Sequence, residues 1–229
     1  MCIFLILLDF IVSKYTMNPY IKEICIRSFD FNNDDFKEEK AEKELQLDIL
    51  CDFFDDPDES YEIDFIADIF EIIEENLFRT LPPPQIKSEM INIGPGFDQI
   101  NSVEDPQMQH LNKVYQLLYL ILELAHTTNC QIITTLFDET FNYKLIELLR
   151  SEDRIEREHL VIIIKNIFAY CEKQRLSIYQ GIIQQLSEVI EQKCVIFINL
   201  EALLEILLFI IPNYPGDTLP LEQTLLRTL

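Results

Sequence analysis

The sequence predicts an all-α protein, a superhelical solenoid of HEAT- or armadillo-like repeats, and three observations predict it. The stretch Lys144 to Cys171 reads as a helix end, a short acidic turn and a second helix. In that second helix Leu160, Ile163, Ile164, Ile167, Phe168 and Cys171 fall on one broad apolar stripe, widened by Val161 and Ile162. Such a helix needs neighbours in front and behind. Tryptophan is absent and there are only 4 glycines, which disfavours a sheet protein with many tight turns. Major helices start near 107, 154 and 197, offsets of roughly 47 and 43 residues, within the period of helical repeats.

Residues 1–17 read as an apolar N-terminal extension. MCIFLILLDFIV is too short to span a bilayer, is interrupted by Asp9 and lacks a basic flank, so it fits neither a membrane span nor a signal peptide. The favoured reading is a start at Met17; the alternatives are a helix packed on the first repeat or a weak membrane contact. Residues 18–229 form the repeat domain. A short helix is expected over 19–29, then a polar break at 32–35. Lys37 to Phe54 follows as a helix with Leu45, Leu47, Ile49, Leu50, Phe53 and Phe54 on its apolar face and the Lys and Glu residues of 37–44 in solvent. The acidic loop DFFDDPDES lacks the spacing and turn glycine of a calcium loop and reads as solvated. A partner helix over 61–78 carries Ile63, Phe65, Ile66, Ile69, Phe70, Ile72, Ile73 and Phe78, and three prolines from Pro82 stop it. Residues 84–103 form a flexible linker.

The next helix is expected from Pro106 to Ala125, with Asp105 as N-cap and proline at the first helical position. Short helices near 129–137 and 140–149 lead into the central turn. There Asp153 is placed as N-cap, with Glu156 three residues on as in a capping box. In a helix over 174–192, Ile178, Ile182, Ile183, Leu186, Val189 and Ile190 line one side. Residues 197–211, FINLEALLEILLFII, are apolar nearly all round and predict burial on most faces. A loop from Pro212 to Pro220 and the start of a further helix complete the pattern. The apolar Leu225, Leu226 and Leu229, with no polar capping repeat after them, suggest a shortened chain or one that ends on a partner.

Chemistry is sparse. The net charge of −22 opposes binding to nucleic acid or anionic membranes and favours solubility or basic partners. Six scattered cysteines without a CxxC pair read as reduced, buried thiols of a cytoplasmic or nuclear protein. His110, His126 and His159 have no metal-ligand spacing, and His159 reads as a surface residue. No GxSxG, P-loop, GxGxxG or Cys–His pattern occurs, and no carboxylate pair stands out among forty. No catalysis, cofactor or metal is expected. What remains is a groove between stacked helices, which can hold an extended peptide.

LIELLRSEDRIERE before an apolar helix resembles the B-prime (B56-type) regulatory subunits of protein phosphatase 2A. Further matches come in order: Cys25 with Phe29-Asp30-Phe31, Asn76 to Pro83 (NLFRTLPP), His110-Leu111 with Val114-Tyr115, Leu204 to Leu207 (LEIL), and Leu219-Pro220-Leu221. The resemblance covers residues 25–229. It implies a non-catalytic regulatory and targeting subunit that works with phosphatase scaffold (A) and catalytic (C) subunits. It also implies a groove for short motifs of the form Leu-x-x-Ile-x-Glu. The alternative is a divergent repeat scaffold that no longer assembles with phosphatase. Carried over position by position, the groove residues are Lys165, Asn166, Phe168, Arg175, Ile206 and Ile210. The family's His-Arg-Ile-Tyr reads here Lys165, Asn166, Ile167, Phe168, so asparagine replaces a charge able to hold a carboxylate bidentately. A family histidine aligns with Leu225. An apolar groove with an altered or weakened motif preference is therefore expected.

Overall fold

The computed structural model describes residues 12–13, 16–31, 35–54, 61–81, 104–128, 135–191 and 199–213. Helix dominates them: α1 (Pro19–Ile26), α2 (Lys37–Phe54), α3 (Ile63–Leu77), α4 (Met108–Thr127), α5 (Glu139–Leu148), α6 (Arg154–Tyr170), a 3-10 turn (Glu172–Gln174), α7 (Arg175–Glu191) and α8 (Leu200–Asn213). Ahead of α1, Val12–Ser13 pairs antiparallel with Thr16–Met17, in the register Val12 to Met17 and Ser13 to Thr16. The expected linker at 84–103, the centre of the acidic loop at 55–60, most of the helix near 129–137, and Leu225 with its neighbours lie outside the described residues.

The chain divides into two compact units, one drawn from Met1–Arg79 and Pro106–Leu136, the other from Thr80–Asp105 and Phe137–Leu229. In the first, α2 packs on α4 and α1 on α3, while α1 meets α2 and α3 meets α4. In the second, α5 packs on α7 and α6 on α8, with contacts also between successive helices. Within each unit, then, helices touch both the next and the next but one, the two-layered stacking of a helical repeat.

Asn18 starts α1 by accepting the Tyr20 N–H on Oδ1 at 2.9 Å, with Pro19 at the first helical position. The far end of α1 is closed by side chains of two other helices. Asn76 of α3 donates to Cys25 O (2.9 Å), and Lys43 of α2 donates to Arg27 O (2.8 Å) and to Asn76 Oδ1 (2.6 Å). The carbonyls that a helix terminus leaves unpaired are thus satisfied by an amide and a cation. Lys43 is 1% exposed, against the expectation that residues 37–44 lie in solvent. It has no carboxylate partner among the described residues, and burial pushes it down to about 8. The nearby Cys25 thiol is pushed up to about 12 by the same burial, as is Cys51, and Cys171 rises to about 11. All three are free, buried and held as thiols.

Several expectations are corrected by packing. Leu45 and Ile63 are exposed, because Lys43, Gln46 and Cys51 share the inner face of α2 and Phe65 onward carries that of α3. The fourth helix starts at Met108 rather than Pro106; Pro106 and Gln107 form a turn, and the Asp105 N–H is used elsewhere. Ile162 faces solvent instead of widening the α6 stripe. His159 is half-buried rather than a surface residue, and burial lowers its pKa against the pull of Glu158, Glu156 and Asp153. The last helix is not buried on most faces: Leu204, Leu208 and Ile211 are exposed on one side of α8 while Leu203, Ile206, Leu207 and Ile210 are buried.

Candidate functional site

The acidic turn before α6 orients that helix. Asp153 is 4% exposed, and its Oδ1 accepts from Ile155 N (2.8 Å) and Glu156 N (3.2 Å). This is the predicted N-cap. Its Oδ2 accepts from the N–H of Asp105 (2.8 Å), a contact the sequence did not suggest. The Asp153 N–H is itself bonded to the turn, donating to Ser151 Oγ at 3.2 Å. Arg157 folds back to donate to Ser151 O at 2.6 Å. Together these bonds tie the turn to its own helix and to the chain at Asp105, and so fix the direction in which α6 leaves.

The other end of α6 turns at Cys171, whose N–H still reaches Ile167 O at 2.8 Å, and continues through the 3-10 turn into α7. Arg175, first residue of α7, donates from Nε to Phe168 O (3.0 Å) and from an NH2 group to Ala169 O (3.2 Å). Its guanidinium carbon also lies 5.6 Å from the Phe168 ring centroid. A cation is well placed there, because the last carbonyls of a helix carry its negative end.

Helix α8 then packs on α6 and α7. Phe209 meets Phe168 edge-on, with centroids 6.2 Å apart at 78°. Lys165 Nζ is 5.8 Å from the Phe209 centroid and 2.7 Å from Glu205 Oε1. A chain of contacts therefore runs from Arg175 through Phe168 and Phe209 to Lys165 and Glu205. Of the six residues taken from the sequence, Lys165, Phe168 and Arg175 are brought together in it. Asn166 is half-exposed beside Lys165 on α6. Phe168, Ile206 and Ile210 are at most 1% exposed, so they form the floor under the seam between α6 and α8 and not its open wall. Glu205 and Phe209 were missed. Both sit one turn apart on α8, and Glu205 lies inside the LEIL match; a charge among leucines facing a lysine-bearing helix was the available signal.

Among the described residues no group of three or more His, Cys, Asp and Glu could hold a metal ion, and no helix is long and apolar enough to cross a membrane. The arrangement sets a cation and an aromatic edge above an aliphatic floor.

The family model for the protein phosphatase 2A regulatory B subunit (B56 family) matches residues 16–228. The chain belongs to the B56 family. It is 34% identical over 173 residues to the beta isoform of the 56 kDa regulatory subunit of serine/threonine-protein phosphatase 2A from Mus musculus, covering 71% of this chain and 31% of that one. It is 30% identical over 165 residues to the B' gamma isoform of the 59 kDa regulatory subunit from Arabidopsis thaliana, covering 66% and 29%. With the delta isoform of the 56 kDa regulatory subunit from Saccharomyces cerevisiae the identity is 30% over 150 residues, covering 63% and 19%. The match thus spans less than a third of each of these relatives. All three are regulatory subunits by name, and membership of the B56 family agrees with the helical architecture found here.

Proposed function

We propose that this chain is a regulatory and targeting subunit of a phosphatase 2A-type holoenzyme, without catalysis of its own. In this reading it joins phosphatase scaffold and catalytic subunits in the cytoplasm or nucleus. It selects substrates by binding short peptide motifs at the seam between α6 and α8. The family match over residues 16–228 carries the reading. Support for the peptide site comes from the cluster of Lys165, Phe168, Arg175 and Phe209 over Ile206 and Ile210. A motif with two aliphatic residues and a carboxylate suits a cation beside an aliphatic floor, provided that α8 yields enough to admit the aliphatic groups. With Asn166 where the family has arginine, the carboxylate loses a bidentate partner. That costs on the order of 1.5–3 kcal/mol, or about ten- to a hundredfold in affinity.

The experiment is affinity capture of the full chain from cells, with immunodetection of the phosphatase scaffold and catalytic subunits. Co-capture of both at comparable yield is expected. Capture of neither, with the chain folded by circular dichroism, would favour the other reading, a divergent repeat scaffold detached from phosphatase.

A further inference from the structure

We propose that Glu205 is a built-in competitor for acidic peptides at the α6–α8 seam. This deepens the peptide-site reading above and rests on it. The two cations of the cluster differ in what it takes to free them. Arg175 gives Nε and an NH2 group to the backbone carbonyls Phe168 O and Ala169 O, so releasing it uncaps α6. Among the described residues Lys165 is held by side chains alone, Glu205 and the Phe209 ring. Its Nζ lies 2.7 Å from Glu205 Oε1, and the two side chains are 23% and 57% exposed. An exposed pair of this kind is worth at most about a factor of five in an equilibrium, so a ligand carboxylate can exchange with Glu205.

The pair also spans the seam. Lys165 is on α6 and Glu205 on α8, and Phe209, one turn further along α8, lies under the same ammonium group. Beneath them Phe168, Ile206 and Ile210 are closed off from solvent. A peptide carboxylate arriving at Lys165 Nζ takes the place of the Glu205 carboxylate and removes one of the ties between the helices. A peptide bearing an amide at that position has no means of displacing it. Glu205 therefore lowers affinity for acidic ligands specifically and leaves neutral ones unaffected.

Fluorescence anisotropy on the full chain tests this with two labelled peptides, Leu-x-x-Ile-x-Glu and the same peptide ending in Gln. The proteins are wild type, Glu205→Gln, Lys165→Met and the double variant, each confirmed as folded by far-UV circular dichroism. Glu205→Gln is expected to bind the Glu peptide about fivefold more tightly and the Gln peptide as wild type does. In the Lys165→Met background the same change at 205 is expected to have no effect. If wild type binds the Glu peptide and Glu205→Gln binds it no better, the competition is refuted while the peptide site stands. If neither peptide binds any of the four proteins, the site reading fails and the competitor role falls with it. An equal gain for both peptides also overturns the proposal, since it would mean that Glu205 acts on the aliphatic part of the ligand.

Discussion

Replacing Asp153 tests how α6 is held, because one carboxylate there serves three backbone N–H groups, those of Ile155, Glu156 and Asp105. Asp153→Ala removes the acceptor from all three. Loss of an N-cap costs about 1 kcal/mol, and leaving a further buried N–H unpaired costs about 1–3 kcal/mol. The sum, about 2–4 kcal/mol, is a large fraction of the roughly 5–15 kcal/mol that holds a typical domain together. A series separates the two contributions. Asp153→Ser keeps the cap toward Ile155 and Glu156 but is too short to reach the Asp105 N–H, so it should lose about 1–3 kcal/mol, about 1 kcal/mol less than alanine. Asp153→Asn keeps one oxygen and turns the other into a donor facing the Asp105 donor, so it should fall between serine and alanine. Urea unfolding followed by far-UV circular dichroism gives the midpoints, with an unchanged slope expected for all variants. Equal midpoints for the serine and alanine variants would refute the cap, and a loss below about 1 kcal/mol for alanine would refute the whole account of the turn.

Lys43 predicts an alkaline gain. Its pKa in the fold, about 8, lies below the ordinary 10.5, so the buried cation is a burden at pH 8 and below that lifts as pH rises toward 10.5. The gain is at most on the order of 3 kcal/mol, since the carbonyls at the end of α1 favour the charged form; Lys43→Met should flatten the pH dependence of the urea midpoint over that window, and an unchanged slope would contradict it. His159 predicts the acid side. Burial lowers its pKa below 6.5, so its contribution is complete above that pH and lost as pH falls through the folded value; the fall in melting temperature between pH 7.5 and 5.5 should be smaller for His159→Gln than for wild type, and an equal fall would count against it. At Gly181 an added Cβ would sit 2.6 Å from Ile146 Cδ1 and 3.3 Å from Tyr143 Cδ1. Alanine gains about 1 kcal/mol in helix propensity and only displaces a methyl group, so it should be near neutral. Leucine should cost about 1–3 kcal/mol by prising α7 from α5, and a neutral leucine melt would refute that close approach.

What the sequence made legible follows from the range of the interactions involved. The start of helix α6 was readable to the residue, because it depends on Asp153, and most of its stripe followed from spacing within one segment. The same holds for α2, whose Lys37 and Phe54 limits were anticipated. The errors fall where a remote partner decides. Nothing within α2 distinguishes Lys43 from Lys40. Only the arrival of Arg27 O and Asn76 Oδ1 makes the inner face of that helix tolerate an ammonium group. Asp105 was assigned to cap its own helix, but that helix starts at Met108 with Gln107 at the cap position, and the Asp105 N–H bonds a carboxylate 48 residues away. On α8, apolarity all round says that several faces can be buried and not which ones are.

The candidate site repeats this division. Its residues were found through motif matches, and their convergence on α6, α7 and α8 required only that helices one repeat apart stack. Their state of engagement was not legible. Lys165 and Arg175 were carried over as groove residues by position alone; in the structure Arg175 is engaged as a helix cap and Lys165 by Glu205. In a chain of net charge −22 this is the expected fate of a surface cation, because 40 Asp and Glu face only 18 Lys and Arg. In the reading proposed above, recognition of an acidic motif at this seam is an exchange of one carboxylate for another. Its free energy is set by how much better the incoming group fits Lys165 than Glu205 does, and the aliphatic floor of Ile206 and Ile210 must supply the rest.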